Sequence, residues 1–362
     1  MVGWVTCKIL NIWPLGIDHQ SASPRARRGA LPRPSRKLLT SLLRPKGRTS
    51  SERDQLNGVL LVVRDAEKSL QKETFNLTSP RNLAPDLSFD SVAMTARQIT
   101  EQEGTRIPPT KVYADKFTGQ VVVVTGSAQG IGEVTASLFA AQGASVVLVD
   151  MNEMKVKDVA SSFEANGWTA TSRVCNLTVE EQVTSTINEI ASTLGKIDVL
   201  VHLAGIYPFR RLLDSTLSDY DQIMSTNMAS CFFLTHATLP HMQKAGYGRI
   251  INTASGVTSH PEPGLALYAA AKSAVAGFTR ATAVEAGPGV TANVVSPSLI
   301  LTDRTWNSEG SKALFDIVME KQCVKRYGLP RDIAHTISFI ASPEADFITG
   351  QLFDVGGGAT FN

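Results

Sequence analysis

Residues Val121–Gly132 read VVVVTGSAQGIG, and the order of residue types in this stretch decides the fold. Four consecutive valines suit a strand covered on both faces. The glycines that follow have separate tasks. Gly126 permits a tight turn, Gly130 removes a side chain where backbone must approach a pyrophosphate, and Gly132 lets the next helix pack closely on the strand. Phosphates would sit at the helix N-terminus, where unpaired N–H groups and the dipole favour negative charge. Similar apolar runs recur at 144–150, 169–175, 197–205, 248–255, 290–298 and 350–356. Helix-period segments separate them at 131–142, 153–166, 179–194, 217–245, 267–286, 310–321 and 330–342. This alternation predicts an α/β fold, a doubly wound parallel sheet of the Rossmann type, in a single domain over residues 115–362.

The second run, SVVLVD, ends at Asp150, 18 residues past Gly132. A carboxylate there accepts hydrogen bonds from adenosine ribose hydroxyls and repels a 2′-phosphate. The next residue is Met151, so no cation is expected to receive that phosphate, and NAD is favoured over NADP. An alternative is that Asp150 simply caps the following helix.

Tyr268 and Lys272 are spaced i, i+4 at the start of an alanine-rich helix, which stacks them on one face. A free phenol has a pKa near ~10, and a neighbouring ammonium is expected to lower it. Tyr268 thereby becomes a candidate general acid or base for alcohol–ketone chemistry. Ser255 ends the run RIINTAS, at the sheet edge that faces a ligand crevice, where a hydroxyl can hold a substrate oxygen against the phenol. Asn227 lies inside 217–245, where Asn is a poor helix former; taken alone, it reads equally as a solvent-facing residue.

Together, TGxxxGIG and S-x12-YxxxK in that order resemble the short-chain dehydrogenase/reductase superfamily, in its single-domain 3-oxoacyl-carrier-protein reductase-like form, over roughly residues 115–362. The resemblance implies a catalytic triad of Ser255, Tyr268 and Lys272, with Asn227 completing a proton-relay tetrad through a helix kink and bound water. It implies that Lys272 also holds the nicotinamide ribose. Cofactor contacts would come from Gly126, Ser127, Gln129, Gly130, Ile131, Gly132, Asp150, Tyr268 and Lys272. The implied set extends to Asn176 near adenine, to Ala204 and Gly205, and to Pro297, Ile300 and Thr302 around the carboxamide. Two departures stand out. The family's NNAG reads His202-Leu203-Ala204-Gly205, a change expected in sheet-stabilising bonds and not in chemistry. Pro297-Ser298 replaces the usual Pro-Gly and puts the loop path in question.

The segments 206–209, 260–263 and 303–325 are expected to border the crevice, the last as a lid carrying Trp306, Leu314, Phe315 and Met319. Their bulk favours a hydrophobic or cyclic alcohol/ketone substrate. The family assembles as homodimers or homotetramers through the helices matching 217–245 and 267–286. The runner-up activity is an NADP-dependent ketone reductase. From other classes come a catalytically silent nucleotide-sensing protein on the same fold and a nucleic-acid binder using the basic N-terminal arm.

Residues 1–93 hold 15 basic against 8 acidic side chains, whereas 94–362 hold 20 against 25. The acidic balance of the domain argues against a nucleic-acid-binding core. The basic extension, rich in Arg, Pro and Ser, is expected to be disordered, with a lead-in over 94–114. It reads as a mitochondrial transit peptide, as a nuclear-localisation-like cluster, or as extra sequence ahead of a start at Met94; the last is favoured. No run approaches the ~18 apolar residues of a membrane helix. Four scattered cysteines read as free thiols, and no metal site is expected. A cytoplasmic protein is the default.

Overall fold

The computed structural model describes residues 111–307 and 311–361; the basic extension and most of the lead-in lie outside them. Seven strands are β1 (Val121–Thr125), β2 (Ser145–Asp150), β3 (Ala170–Val174), β4 (Val199–His202), β5 (Gly248–Thr253), β6 (Val290–Pro297) and β7 (Leu352–Val355). They form one sheet in the order β3-β2-β1-β4-β5-β6-β7, and every pairing is parallel. The chain winds outward from β1 to β3, then returns to place β4 on the other side of β1. That reversal opens a crevice at the C-terminal ends of β1 and β4.

The helices are α1 (Gly130–Ala141), α2 (Glu153–Ala165), α3 (Glu180–Leu194), α4 (Leu217–Met224), α5 (Ser230–Ala245), α6 (Ala266–Glu285), α7 (Asp303–Trp306), α8 (Ser311–Lys321) and α9 (Pro330–Ile340). The valine run shows why the sequence is apolar at successive positions. Val122 and Val124 join Phe139, Val159, Ile333 and Ile337 in one core. Val121 and Val123 face the other way, towards Val183, Ile187, Leu234 and Met242. Alternate side chains of one strand thus fill both layers.

The expected helix 217–245 is interrupted. Residues Ser225–Ala229 form a π turn between α4 and α5. A wider turn inserts one extra residue per hydrogen bond and redirects the side chains it carries. A second difference concerns Phe315, expected at the crevice. It is buried with Leu301, Tyr327 and Leu329 in a small core of its own, against which Trp306 and Met319 pack, while Leu314 is exposed. Aromatic residues in this segment serve its internal packing first.

The turn glycines are required by close approach. Gly126 has φ +67°, and a methyl group there would stand 2.8 Å from Ala204 N. The loops after β1 and β4 therefore touch at the switch point. A methyl on Gly132 would collide with the carbonyl of Gly126. Gly132→Ala is expected to lower the unfolding free energy by about 1–3 kcal/mol, the usual cost of overpacking. Urea denaturation checks this; an unchanged midpoint would contradict the packing role.

Candidate functional site

Tyr268 lies in the first turn of α6, and Lys272 one turn on. Lys272 is buried, and its Nζ donates to the Thr253 carbonyl at the end of β5, at 2.8 Å. Burial lowers its pKa to about 8, with Cys231 acting in the opposite direction. The Ser255 hydroxyl lies near enough to the Tyr268 phenol to act on its acidity. Ser255 follows β5 in extended backbone and opens the short 3-10 turn Gly256–Thr258, where its hydroxyl accepts from Val257 N at 3.5 Å. Ser255 and Tyr268, 13 residues apart in the chain, thus meet above the ends of β5.

Asn227 is fully buried in the π turn, not solvent-facing. Its Nδ2 donates to the Ile206 and Ile223 carbonyls, each at 3.0 Å. Its Oδ1 accepts from Ile206 N at 3.3 Å. A methyl on Gly205 would stand 2.6 Å from Asn227 Oδ1 and 3.5 Å from Lys272 Nζ. Only a residue without a side chain lets the amide and the ammonium approach from two elements.

The phenol does not behave as the i, i+4 spacing suggested. Burial pushes Tyr268 up to about 12; the Ser255 hydroxyl pulls it down, Tyr207 pushes it up, and Arg304 pulls it down. Lys272 is not among these influences. Its ammonium is engaged by Thr253 and lies 5.8 Å from the centre of the Tyr268 ring. The cation acting on the phenol in this structure is Arg304, which the sequence reading did not single out.

The other side of the crevice is built from the glycine-rich turn. Gln129 is the N-cap of α1 in extended backbone, and Gly130 follows with φ +62°. A methyl on Gly130 would lie 3.4 Å from Thr302 Cγ2, so the turn and the loop after β6 face one another across a space a side chain would fill. Thr302 is the N-cap of α7, in a capping box with Thr305, and Thr305 Oγ1 also donates to the Ile300 carbonyl at 2.8 Å. Ile300 buries its side chain in the core and bridges to Gly328, which leaves only its backbone for a ligand. Pro297 is buried at the end of β6. Ser298 fits where glycine is usual because Gly256 and Gly356 border it; a methyl on either would lie 3.6 Å from its Cα or 3.1 Å from its Cβ. Ser127 is buried and donates to the Val149 carbonyl, whereas Ile131 is half-buried against the core.

Asp150 does not cap α2; Asn152 does, accepting from Lys155 N. The Asp150 carboxylate instead accepts from Ala128 N at 3.1 Å and Asn152 N at 2.9 Å, which ties it to the glycine-rich turn. Asn176 accepts from Thr178 N and Oγ1 through its Oδ1, shaping the loop after β3. A cation does reach this end. Lys155 Nζ donates to Gln129 Oε1 at 3.0 Å. It was missed because it comes from the first turn of α2, five residues beyond Asp150.

The three expected border segments meet. Arg210 N donates to the Gly264 carbonyl at 2.8 Å, Lys321 pairs with Glu262 at 3.8 Å, and Arg304 stacks on Tyr207. No group of three His, Cys, Asp or Glu side chains is placed to hold a metal among the described residues. Cys175 and Cys231 are buried free thiols and Cys323 is an exposed one; Cys7 lies outside the described residues. No described helix is long and apolar enough to cross a membrane.

His202, the departure from NNAG, is buried between two hydroxyls. Ser230 Oγ donates to the Thr226 carbonyl at 2.6 Å, so it accepts from His202 Nε2–H at 3.1 Å. Nδ1 then accepts from Thr125 Oγ1 at 2.9 Å, and that oxygen accepts from Leu203 N and Ala204 N. The donor count assigns the tautomer. An imidazole does here what amides would do: it joins the end of β1 to the start of α5.

Residues 126–360 match the family model described as Enoyl-(Acyl carrier protein) reductase. The 3-oxoacyl-[acyl-carrier-protein] reductase of Vibrio cholerae is 38% identical over 245 residues, covering 66% of this chain and 97% of that one. The meso-2,3-butanediol dehydrogenase of Serratia marcescens is 36% identical over 250 residues, covering 68% and 96%. A solved structure titled as a short-chain dehydrogenase/reductase, glucose/ribitol dehydrogenase, from Brucella melitensis superposes with a TM-score of 0.64 at 31% identity, covering 68% of this chain and 99% of that one.

Burial and, secondarily, the charge of Lys272 push His202 down to about 3. The folded state then holds this imidazole neutral while the unfolded chain takes up a proton below its usual value of 6.5. Stability from this group is complete above that value and is lost as pH falls towards the folded pKa, by up to about 1.4 kcal/mol per pH unit. His202→Asn is expected to show a shallower loss of unfolding free energy between about pH 6 and pH 4. Parallel slopes for the two proteins in urea denaturation would contradict the assignment.

Proposed function

The chain belongs to the short-chain dehydrogenase/reductase superfamily and is an oxidoreductase on a Rossmann-type nucleotide-binding fold; from that premise we propose that it interconverts a secondary alcohol and a ketone with NAD(H), Tyr268 acting as general acid and base. The observation that carries the reading is the approach of the Ser255 hydroxyl to the Tyr268 phenol, beside a buried Lys272 fixed to Thr253. A bound nicotinamide supplies the hydride donor or acceptor and a positive charge when oxidised.

The protein's own residues supply the proton chemistry. The Ser255 hydroxyl holds the substrate oxygen within reach of the phenol. Tyr268 gives its proton to that oxygen as a ketone is reduced, or takes one from an alcohol as it is oxidised. Lys272 stays anchored at Thr253, with its ammonium turned towards the space beside Gly205 where a ribose would rest. Asn227 holds the Ile206 backbone and so fixes the wall opposite. Around the dinucleotide, Gly126, Ser127, Gln129, Gly130, Ile131 and Gly132 would cradle phosphates, and Asn176 would flank adenine. Ala204, Gly205, Pro297, Ile300 and Thr302 would border the nicotinamide half. The facing of Gly130 and Thr302 across a space that a methyl would fill supports this fit.

Asp150 supports NAD, because its half-exposed carboxylate is fixed at the turn where a 2′-phosphate would have to sit. One observation favours NADP as a second reading: the Lys155 ammonium reaches back to Gln129 at the same turn. The aromatic rings of Tyr207 and Tyr268, 6.1 Å apart, support a substrate with an apolar or cyclic body. A homodimer or homotetramer through α5 and α6 is supported by exposed Phe232, which packs edge-on against Phe278 at 6.1 Å and adjoins a hollow with Met224 and Met228.

Tyr268→Phe is expected to lower kcat by roughly 10²–10⁴, the usual range for a lost acid–base group, while NADH binding measured by fluorescence persists. Retained turnover would remove the enzymatic role of this phenol and favour a nucleotide-sensing function. Asp150→Ala is expected to reduce the preference for NAD over NADP by at least about tenfold in kcat/KM, since a like-charge contact costs on the order of several kcal/mol. Steady-state kinetics with both cofactors decides it.

A further inference from the structure

Arg304 stands two residues beyond Thr302, on α7, and is exposed. Its guanidinium lies 4.7 Å above the Tyr207 ring, and that ring lies 6.1 Å from Tyr268 at a 60° tilt. The charge is close enough to pull on the phenol. Arg304 forms no ion pair among the described residues. Two carboxylates near the mouth are paired with other cations, Asp219 with Arg210 at 3.1 Å and Glu262 with Lys321 at 3.8 Å. Asp303, its chain neighbour, is not paired with it either; after burial, the Asp303 charge helps push the Glu133 carboxyl up. An arginine stacked on an aromatic face keeps the N–H donors at its edge available, in a planar fork that matches a carboxylate.

We propose that Arg304, seated on Tyr207 beside Tyr268, receives an anionic group carried by the substrate, so that the alcohol or ketone handled here belongs to an acid with an apolar body. The assignment rests on the oxidoreductase reading above and narrows its substrate class. The Tyr207 ring neighbours both groups, the phenol at 6.1 Å and the guanidinium at 4.7 Å. A carboxylate bound at the guanidinium would be held at a set distance from the reacting oxygen, which orients the molecule as well as attracting it. An uncharged analogue of equal size would leave the fork without an acceptor.

The probes are benzoylpropionate and its methyl ester, with binding to the protein–NADH complex followed by NADH fluorescence. The acid is expected to bind at least about tenfold more tightly than the ester, the worth of one charge-assisted hydrogen-bonded pair. Arg304→Gln should bring that ratio near one, and Arg304→Lys should recover part of it. Equal affinity of the two probes for the natural protein overturns the proposal, as does a ratio that survives in Arg304→Gln or failure of both probes to bind. A variant that weakens NADH binding and leaves the ratio untouched also overturns it, assigning the guanidinium to the cofactor diphosphate. Turnover of the ester, and its loss in Tyr268→Phe, reports on hydride transfer independently, so failure of one reading is visible apart from failure of the other.

Discussion

An ammonium buried as deeply as that of Lys272 must find acceptors inside the protein, because desolvation without compensation costs several kcal/mol. The Thr253 carbonyl answers part of that demand. The carbonyl is available because β5 ends there and its next pairing partner has fallen away. Around the ammonium the neighbours are small or polar: Gly205 has no side chain to intrude, and Asn227 comes from the π turn with its amide directed at Ile206. Three separate elements, β5, the loop after β4 and the helix break, thus come together around one charge, which is bonded to the first of them. The parallel sheet sets the distances between them, and the lysine makes those distances matter.

The π turn has a price in regularity that its neighbours help to offset. Ser230 closes the turn with a bond to Thr226, and then accepts from His202. Through the imidazole the turn is tied to Thr125 and so to the backbone of Leu203 and Ala204. The sheet edge carrying the glycine-rich turn and the helix carrying Asn227 therefore share one hydrogen-bond chain, satisfied at every member. A fully satisfied buried chain is rigid. A neutral imidazole can occupy its centre because it donates at one nitrogen and accepts at the other.

The strands and the glycine turn were legible because their signals are local: a run of valines specifies a doubly covered strand, and Gly132 is demanded by the backbone of Gly126 in the same turn, whereas the contact of Gly126 with Ala204 is a tertiary one. Ser255, Tyr268 and Lys272 were legible as a spacing, and the structure brings the first two into contact. The effect of Lys272 on the phenol was not legible, since it depended on where the ammonium points, and Thr253 lies 19 residues away. The π turn left only one mark, an asparagine in a helical stretch. Phe315 was misread for a related reason: bulk predicts burial, but whether the cover is a crevice or Tyr327 and Leu329 is a tertiary fact. Lys155 and Arg304 escaped because a long side chain acts several residues from its own position.

The acid strength of Tyr268 follows from opposed influences of unequal size. Burial stabilises the neutral phenol and dominates; the Ser255 hydroxyl and the Arg304 charge stabilise the anion and yield to it. A phenol held near 12 is protonated at neutral pH, the state a proton donor needs when a ketone oxygen gains negative charge. To act as a base on an alcohol, the same phenol needs further positive charge nearby. Lys272 cannot move to supply it without abandoning Thr253, and Arg304 is held by Tyr207. The balance between the two directions is therefore set by what occupies the crevice beside these fixed groups: an added cation favours the phenolate, whereas an anion seated on Arg304 screens its pull and favours the acid. The same rigid arrangement can serve both directions because the protein fixes positions and leaves part of the charge to its ligands.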